Sequence, residues 1–307
     1  MSLPALRALR DTHPKSKITV LARPWVADLY GREPFCDALI PWQGYQWAAV
    51  RELRQRNFDC AVLLQNAFGA AAVTALAGIP RRIGYDRDGR GWLLTDAIAV
   101  PVKGEIPPHE SYYYLELLRR AKLIDISLPP EPFVRLTVRA GTAKPVVGIS
   151  PGAAYGGAKR WLPERFAEAA VQVARETNSS VRVFGTGQER EICAEVAGMI
   201  ASAGVDVTNT AGSTTLAQFI DQVTECEVMI TNDSGSMHIA SALGVPTVAI
   251  FGATNDVTTG PTGPLARVVR EPVECSPCLL RECPIDHRCM TRVSAGRVAE
   301  TALELLK

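Results

Sequence analysis

The amino-acid sequence predicts an α/β protein of two domains, residues 1–140 and 141–307. Short apolar runs of strand length alternate with segments of helical periodicity along most of the chain, which is the pattern of parallel sheets covered by helices. The alternation stops once, at the proline-rich stretch 128–132, and a linker of small residues is predicted at 138–144. A length of 307 residues leaves room for two domains of ordinary size.

Composition places the chain among soluble globular proteins. Hydrophobic residues make up 47% of the sequence and charged residues 21%, which argues against a disordered chain. No apolar run approaches the ~18 residues needed to cross a bilayer. The first twenty residues contain Arg7, Arg10 and Asp11, where a signal peptide would have an apolar core. The sequence therefore predicts a cytoplasmic protein.

The two halves differ in charge, although the net charge of the whole chain is only +1. Residues 1–140 hold 19 Lys and Arg against 14 Asp and Glu, and residues 141–307 hold 14 against 18. The basic half either faces an anionic partner or is a solvated basic surface. No basic run is interleaved with aromatic residues, so no nucleic-acid partner is predicted.

The elements of the first half follow from periodicity. An apolar stripe through Leu3, Leu6 and Leu9 predicts an opening helix. In chain order, the predicted elements are a helix at 2–12, a strand at 17–21, a loop at 24–25, a strand at 38–40, a helix at 47–56, a strand at 60–64, a helix ending at 76, a strand at 82–85, a loop over 86–96 and a helix at 109–123. Because a covering helix normally follows its strand, a chain that opens on a helix indicates a missing first strand.

The second half repeats the alternation and has a polar, glycine-bearing loop after each of three strands. The predicted elements are strands at 146–150, 181–184, 205–207, 228–230 and 248–251, with helices from 163, up to 203, after Ser213 or Thr214 as cap, after 235, and from 293 to the end. The three loops are 151–159, 185–189 and 232–235. Since the carboxyl ends of parallel strands share one edge, these loops converge where open α/β sheets bind ligands.

The loop 232–235 predicts an anion site. It lies at the amino end of a helix, where unpaired backbone N–H groups and the helix dipole favour phosphate. Gly235 permits close approach of a ligand to the backbone. Asp233 and Ser234 are equally good cap residues, so an ordinary helix cap is the alternative.

Lys159 makes the loop 151–159 a second candidate anion site. The loop is not a Walker A sequence, because Arg160 follows the lysine where Ser or Thr would be required.

Four arginines fall within ten residues of the first half: Arg81, Arg82, Arg87 and Arg90. Guanidinium groups bind phosphates and carboxylates through paired hydrogen bonds, which favours acceptor binding. The alternative is that Asp86 and Asp88 simply pair with them.

Four of the eight cysteines cluster near the end of the chain: Cys275, Cys278, Cys283 and Cys289, with His287 among them. They are close enough in sequence to surround one structural zinc ion, although the second pair lacks the usual short spacing. Reduced thiols that pack a loop are the alternative. The other cysteines, Cys36, Cys60, Cys193 and Cys226, lie in apolar surroundings and indicate small buried residues.

Together, five segments resemble the bacterial ADP-heptose:lipopolysaccharide heptosyltransferases, which are family 9 glycosyltransferases, and the type II members most. The segments are 77–85, 88–95, 151–161, 231–240 and 275–290. Their order and spacing are specific to the glycosyltransferase family and less so to a particular sugar. The resemblance covers essentially the whole chain.

The resemblance implies a GT-B fold, in which two Rossmann-like domains face a cleft, the first binding the acceptor and the second the nucleotide sugar. The implied donor-binding residues are Gly152, Lys159, Glu189, Asp233, Ser234, Gly235 and His238, and the implied acceptor-binding residues are Asn66, Arg81, Arg82 and Arg87. Lys159 is expected to neutralise the diphosphate and His238 to help it leave, which makes these two the expected catalytic residues. The loop 233–235 is expected to hold phosphate and heptose, and Glu189 ribose or sugar.

The implied reaction is an inverting transfer of heptose from ADP-heptose to the inner core of lipopolysaccharide. An acceptor hydroxyl attacks the anomeric carbon while ADP departs, so negative charge develops on the diphosphate. Lys159 and the helix end are expected to stabilise that charge without a metal ion or another cofactor. Since the acceptor resides in a membrane, peripheral association with the cytoplasmic face of the inner membrane is a further expectation.

The chain also departs from the family pattern. Relatives begin with a strand and a Gly-Asp pair just before the segment that corresponds to residues 1–6, and that Asp is the expected general base. No such pair precedes Met1 in this sequence, so the first domain is expected to lack its first strand and the chain to be impaired in catalysis. Two alternatives stay open: a non-catalytic nucleotide-sugar-binding remnant, and a relative that uses another nucleotide sugar.

Overall fold

A computed structural model describes residues 1–44, 46–125, 127–129, 131–137 and 145–307. The chain folds as two compact units, Met1–Pro132 and Phe133–Lys307. The predicted linker at 138–144 lies outside the described residues. Within the described ranges, none of the helices has both the length and the apolar character needed to cross a membrane.

Each unit alternates strands with helices, as the sequence predicts. The first unit contains α1 (Leu3–Thr12), β1 (Thr19–Ala22), α2 (Pro24–Tyr30), β2 (Ala38–Pro41), α3 (Gln46–Gln55), β3 (Cys60–Leu63), α4 (Phe68–Leu76), β4 (Arg81–Tyr85), β5 (Asp96–Ile98) and α5 (Glu110–Arg120). The second contains β6 (Val146–Ser150), α6 (Pro163–Thr177), β7 (Ser180–Val183), α7 (Arg190–Ser202), β8 (Val207–Asn209), α8 (Leu216–Val223), β9 (Cys226–Asn232), α9 (Gly235–Ala242), β10 (Thr247–Phe251), α10 (Asp256–Thr259), β11 (Ala266–Arg270), α11 (Arg288–Thr291) and α12 (Ala295–Glu304).

The strands of the first unit form two parallel sheets in the described part of the chain, β1-β2 and β3-β4-β5. The opening helix α1 packs on α5, where Ala5 shares an apolar cluster with Leu115 and Leu118. A second cluster joins Val50 and Leu53 of α3 to Val73 of α4. Of the apolar stripe that predicts α1, Leu9 packs on the cluster shared with α5, Leu6 is buried and Leu3 is half-buried.

The second unit is built on one parallel sheet in the order β11-β10-β9-β6-β7-β8. The central strand β6 is buried along its whole length, because helices cover both faces of a sheet of this kind. In the register of β6 with β9, Ser150 lies opposite Thr231. The loops that follow these two strands therefore leave the same edge of the sheet side by side.

Two local predictions are corrected by the structure, and two strands were not predicted. Residues 24–25 were expected in a loop, but they begin helix α2, with Pro24 in the first turn where its missing N–H costs nothing. The helix cap expected at Ser213 or Thr214 is Thr215, because Gln218 completes a capping box with it. Strands β5 and β11 were not predicted; residues 86–96 were expected to be a loop, but β5 begins at Asp96.

Gly148, in the middle of β6, is expected to tolerate no side chain. A Cβ there would meet the sulfur of Met229 and lie 2.7 Å from the sulfur of Cys226, and overpacking of this kind typically costs about 1–3 kcal/mol. Gly198, in α7, has no atom within 4 Å of the same position, so Gly198→Ala should stabilise by about 0.5–1 kcal/mol through helix propensity. Urea unfolding should give a lower midpoint concentration for Gly148→Ala and a higher one for Gly198→Ala than for the wild type. Equal shifts would contradict the packing described for β6.

Candidate active site

The three glycine-bearing loops meet at one edge of the second sheet, as predicted, because β9, β6 and β7 are neighbours in it. Asn232 is fully buried at the end of β9. Its side chain forms hydrogen bonds that join the loop after β9 to the loop after β6. Its Oδ1 accepts a hydrogen bond from the backbone N–H of Trp161 at 3.0 Å. Its Nδ2 donates to the Pro151 carbonyl at 2.8 Å and to the Gly152 carbonyl at 3.3 Å. The loop that carries Lys159 is therefore fixed to the end of β9.

Lys159 and Asp233 form an ion pair at this edge. The Nζ of Lys159 lies 2.6 Å from Oδ2 of Asp233, and their side chains are only 13% and 6% exposed. Thr254 donates its hydroxyl to the same carboxylate oxygen at 2.5 Å. The Nζ also lies 4.7 Å from the centre of the Tyr155 ring, within the range of a cation–π contact. Two predicted donor residues are thus in direct contact, and Thr254 and Tyr155 are partners that the sequence reasoning missed.

The first turn of α9 has no side-chain cap. Ser234 occupies the cap position in extended backbone, but its side chain makes no capping hydrogen bond, and its hydroxyl lies 3.2 Å from that of Thr231. No described atom lies within 4 Å of the position that a Cβ on Gly235 would take. His238 follows in the same turn and is half-buried. The helix end therefore has N–H groups available to an anion.

Glu189 and Gly152, both predicted to bind the donor, lie against each other. Glu189 is buried, and its Oε2 accepts hydrogen bonds from the N–H of Thr186 at 2.8 Å and from the Thr186 hydroxyl at 2.9 Å. A Cβ on Gly152 would lie 2.8 Å from Cγ of Glu189. The absence of a side chain at Gly152 thus leaves room for the carboxylate beside the loop.

Residues 275–289, here called the cysteine segment, pack on the loop that carries Lys159. Glu282 accepts a hydrogen bond from the Gly157 N–H at 3.0 Å, and the Arg281 carbonyl accepts one from the Ala158 N–H at 2.9 Å. Tyr155 donates its hydroxyl to the Leu279 carbonyl at 2.8 Å. The guanidinium of Arg281 lies 5.5 Å from the centre of the Tyr155 ring. Long-range contacts thus hold this loop from its outer side as well.

Gly156 meets a backbone requirement at the same place. Its φ is +153°, and a Cβ would collide with the carbonyl of Arg281. Only glycine combines this conformation with so close an approach.

The clustered cysteines are free thiols in this structure. Burial, followed by the nearby Cys275, Cys278 and Cys283, raises the pKa of Cys289. No group of three or more His, Cys, Asp or Glu side chains is arranged to hold a metal in the part of the chain that the structure describes. His287 lies with Nε2 3.0 Å from the Ala158 carbonyl. Structural zinc at these cysteines stays a prediction.

The isolated cysteines divide into two pairs. Cys193 and Cys226 are buried, and burial raises the pKa of each to about 12. Cys36 and Cys60 are half-buried, and burial is again the largest cause of their raised pKa values. The first two therefore behave as packing groups with no tendency to form thiolates.

Of the predicted acceptor residues in the first unit, Asn66 and Arg87 both lie beside Tyr113. The Nδ2 of Asn66 donates to the Tyr113 hydroxyl at 3.0 Å, and a hydrogen bond with Tyr113 is the largest cause of the raised pKa of Arg87. Arg90 is fully buried and donates to Oδ1 of Asn66 at 3.1 Å and to the Tyr85 carbonyl at 3.1 Å. Arg90 thus holds Asn66 in place.

Arg81 and Arg82 have partners within the fold. Arg81 binds Oδ1 of Asp96 through two nitrogens at 2.9 and 3.1 Å. Arg82 donates to the carbonyls of Leu93 and Ile79 at 2.7 and 2.6 Å. The alternative, pairing with Asp86 and Asp88, holds for Arg87, whose Nε lies 3.6 Å from Oδ1 of Asp88. Arg81 instead pairs with Asp96, which sequence spacing did not reveal.

Comparisons with known proteins show which family the chain resembles. Residues 46–288 match the model of glycosyltransferase family 9 (heptosyltransferase). The chain is 31% identical over 297 residues to lipopolysaccharide heptosyltransferase 2 of Salmonella typhimurium strain LT2, covering 88% of this chain and 84% of that protein. Among solved structures, the Escherichia coli ADP-heptose lipopolysaccharide heptosyltransferase II superimposes with a TM-score of 0.82 at 30% identity over 99% of this chain and 94% of that one.

A more distant structure agrees in fold. The family 9 glycosyltransferase of Veillonella parvula matches with a TM-score of 0.82 at 20% identity, covering 99% of this chain and 92% of that one. The α/β architecture predicted from the sequence is therefore confirmed, and the matched heptosyltransferase structures support its GT-B class.

Asn232→Ala is expected to destabilise the second unit. The change removes every hydrogen bond described above for this side chain and leaves the buried N–H of Trp161 and the carbonyl of Pro151 without their partner, at a cost of about 1–3 kcal/mol. Asn209→Ala provides the control. Asn209 also ends a strand but is exposed, and the Ala211 N–H that donates to its Oδ1 at 3.0 Å can bond water instead, so this surface change should stay within about 0.5 kcal/mol. Thermal unfolding of both variants measures the difference. Equal stabilities would show that Asn232 does not fasten the loops.

Proposed function

Since the chain belongs to glycosyltransferase family 9, the heptosyltransferases, we propose that it transfers heptose from ADP-heptose to the inner core of lipopolysaccharide. The observation that carries the proposal is the Lys159–Asp233 pair beside the uncapped start of α9. A fixed cation and free N–H groups are what a departing diphosphate requires. The names of the matched relatives, which include ADP-heptose and lipopolysaccharide, support the choice of donor and acceptor.

The donor is proposed to bind at the sheet edge of the second unit. Lys159 and the N–H groups of Ser234 and Gly235 neutralise the diphosphate. His238 assists the departure of ADP, whose bond to the anomeric carbon breaks as the acceptor hydroxyl bonds to that carbon and gives its proton to water. Asp233 is already occupied by Lys159 and Thr254. Its carboxylate would repel phosphate, so its first role is to hold the ammonium group at a fixed position.

The remaining donor contacts are proposed on the other side of the same edge. Glu189 has one carboxylate oxygen engaged by Thr186, and the other is proposed to accept a hydrogen bond from a ribose or sugar hydroxyl. Gly152 supplies the space beside it.

The acceptor is proposed to bind at Asn66 and Arg87 in the first unit. The guanidinium of Arg87 is about half exposed, and its one carboxylate neighbour among the described ion pairs, Asp88, lies 3.6 Å away. Such a group is available to a phosphate on the inner core. Arg81 and Arg82 support the loop through their contacts within the fold.

No divalent cation or other cofactor is included in the proposed reaction. Lys159 and the positive end of the α9 dipole supply the charge that a metal ion provides in other phosphate-transfer sites. Because its acceptor is carried by a lipid, the enzyme is proposed to work at the cytoplasmic face of the inner membrane as a peripheral protein.

The decisive experiment measures transfer of labelled heptose from ADP-heptose to inner-core lipopolysaccharide, with enzyme in excess so that slow turnover is detected. Transfer should persist in excess EDTA. Lys159→Ala should weaken ADP binding and lower transfer roughly ten- to a hundredfold, since a charge-assisted contact is worth about 1.5–3 kcal/mol. Lys103→Ala, which removes a lysine from a loop of the first unit, is the matched control.

Three results would count against the proposal. Transfer from another nucleotide sugar but none from ADP-heptose would refute the donor. A requirement for added Mg²⁺ would refute the metal-free arrangement. Unchanged ADP affinity in Lys159→Ala would remove Lys159 from the site.

A further inference from the structure

The first unit exposes a cluster of large apolar side chains on its helical side. Trp47 and Trp92 are each 76% exposed, and Phe68 and Leu76 are close to half exposed. Isolated exposed apolar residues are ordinary, but several large ones on two neighbouring helices and the loop beside them mark an interaction surface. These four residues, with Arg51 and Arg54, are called the aromatic face.

The aromatic face consists of two groups of residues, and both groups include a residue of α4. Trp47, Arg51, Arg54 and Leu76 line one open groove of about 460 Å³ between α3 and α4. Arg54 also donates a hydrogen bond to the Leu76 carbonyl at 2.6 Å. At the other end of α4, the rings of Phe68 and Trp92 are 6.3 Å apart. The face therefore extends along α4 from the start of the helix to its end.

The charge of this face is positive. Arg51 and Arg54 are exposed, and no ion pair to a carboxylate is formed by either within the described residues. The carboxylate of Glu52, the acidic residue of α3, is paired with Arg56 at 2.8 Å. Tryptophans beside arginines that have no carboxylate partner are typical of proteins that lie on anionic membranes, because the indole ring sits at headgroup level and the guanidinium binds lipid phosphates.

The aromatic face borders the proposed acceptor residues. Phe68 follows Asn66 by two positions, and Trp92 follows Arg90, whose guanidinium binds Asn66. Trp92 and Arg87 belong to the same loop between β4 and β5. A surface that binds lipid at this place would hold the acceptor loops at the level of the headgroups.

We propose that the aromatic face is the surface by which this protein lies on an anionic lipid bilayer, with Trp47, Phe68 and Trp92 in the headgroup region and Arg51 and Arg54 on lipid phosphates. The inference rests on the proposed function, because a lipid-borne acceptor gives the contact its purpose. It assigns the location of that contact to α3, α4 and the loop before β5.

The test is sedimentation of the full chain with phosphatidylcholine vesicles that contain or lack phosphatidylglycerol. Binding is expected only to the anionic vesicles, and it should weaken with salt. Trp47→Ser/Trp92→Ser should lower partitioning at least about tenfold, since burial of one aromatic side chain already favours binding by that factor. Arg51→Glu changes the charge of the face by two units. It should lower partitioning roughly thirtyfold, because each unit of charge near an anionic surface changes binding about fivefold.

The control is Val257→Ser/Ile285→Ser, which removes two exposed apolar side chains from the second unit and should leave partitioning unchanged. Circular dichroism confirms that every variant is folded. Partitioning that is equal for Trp47→Ser/Trp92→Ser and the wild type would overturn the proposal. Loss of a dimer in sedimentation velocity, with vesicle binding unchanged, would assign the face to a second copy of the chain instead.

Activity separates this inference from the proposed function. With a water-soluble, deacylated inner-core acceptor, Trp47→Ser/Trp92→Ser should transfer heptose as the wild type does, whereas transfer to acceptor in anionic vesicles should fall at least about tenfold. Loss of transfer to the soluble acceptor would place Trp92 in acceptor binding and refute the membrane role. Vesicle binding by the aromatic face without transfer to any acceptor would refute the proposed function alone.

Discussion

The ion pair between Lys159 and Asp233 is the contact on which the candidate donor site depends. Two opposite charges with little exposure are stable together only if their geometry is good and their remaining hydrogen-bonding groups are satisfied. Thr254 satisfies one further lone pair of the carboxylate, and the Tyr155 ring covers the ammonium group. The ammonium group is thereby kept at a fixed place in the absence of ligand. Binding of a diphosphate then costs little of its conformational entropy.

Three sets of contacts keep Lys159 and Asp233 together. The register of β6 with β9 places their loops side by side, and Asn232 ties the loops with buried hydrogen bonds. The cysteine segment then supports the Lys159 loop through Glu282. The cation therefore lies on an irregular loop, but that loop is braced by the sheet on one side and by a distant part of the chain on the other.

The sequence predicted the features that depend on local pattern. The alternation of strands and helices, the parallel second sheet and the convergence of three loops all follow from periodicity and breaker residues. Apart from the start of α2, the cap of α8 and the strands β5 and β11, what it did not predict depends on contacts between distant residues. Gly157 and Glu282 are 125 positions apart, and no local signal could pair them. The arginine cluster shows the same limit. The sequence gives no reason to separate Arg81 and Arg82 from Arg87 as acceptor-binding residues. Their contacts with Asp96 and Leu93 show that Arg81 and Arg82 are used within the fold.

A double-mutant cycle on ADP binding tests most directly whether Asp233 acts through Lys159. Calorimetry would compare the wild type, Lys159→Ala, Asp233→Ala and the double variant. The account predicts that Asp233→Ala weakens ADP binding when Lys159 is present, because the ammonium group loses its fixed position. The same change should strengthen binding when Lys159 is absent, because a lone carboxylate repels the diphosphate. Losses that add within about 0.5 kcal/mol, as for independent sites, would contradict it and make Asp233 a separate ligand contact.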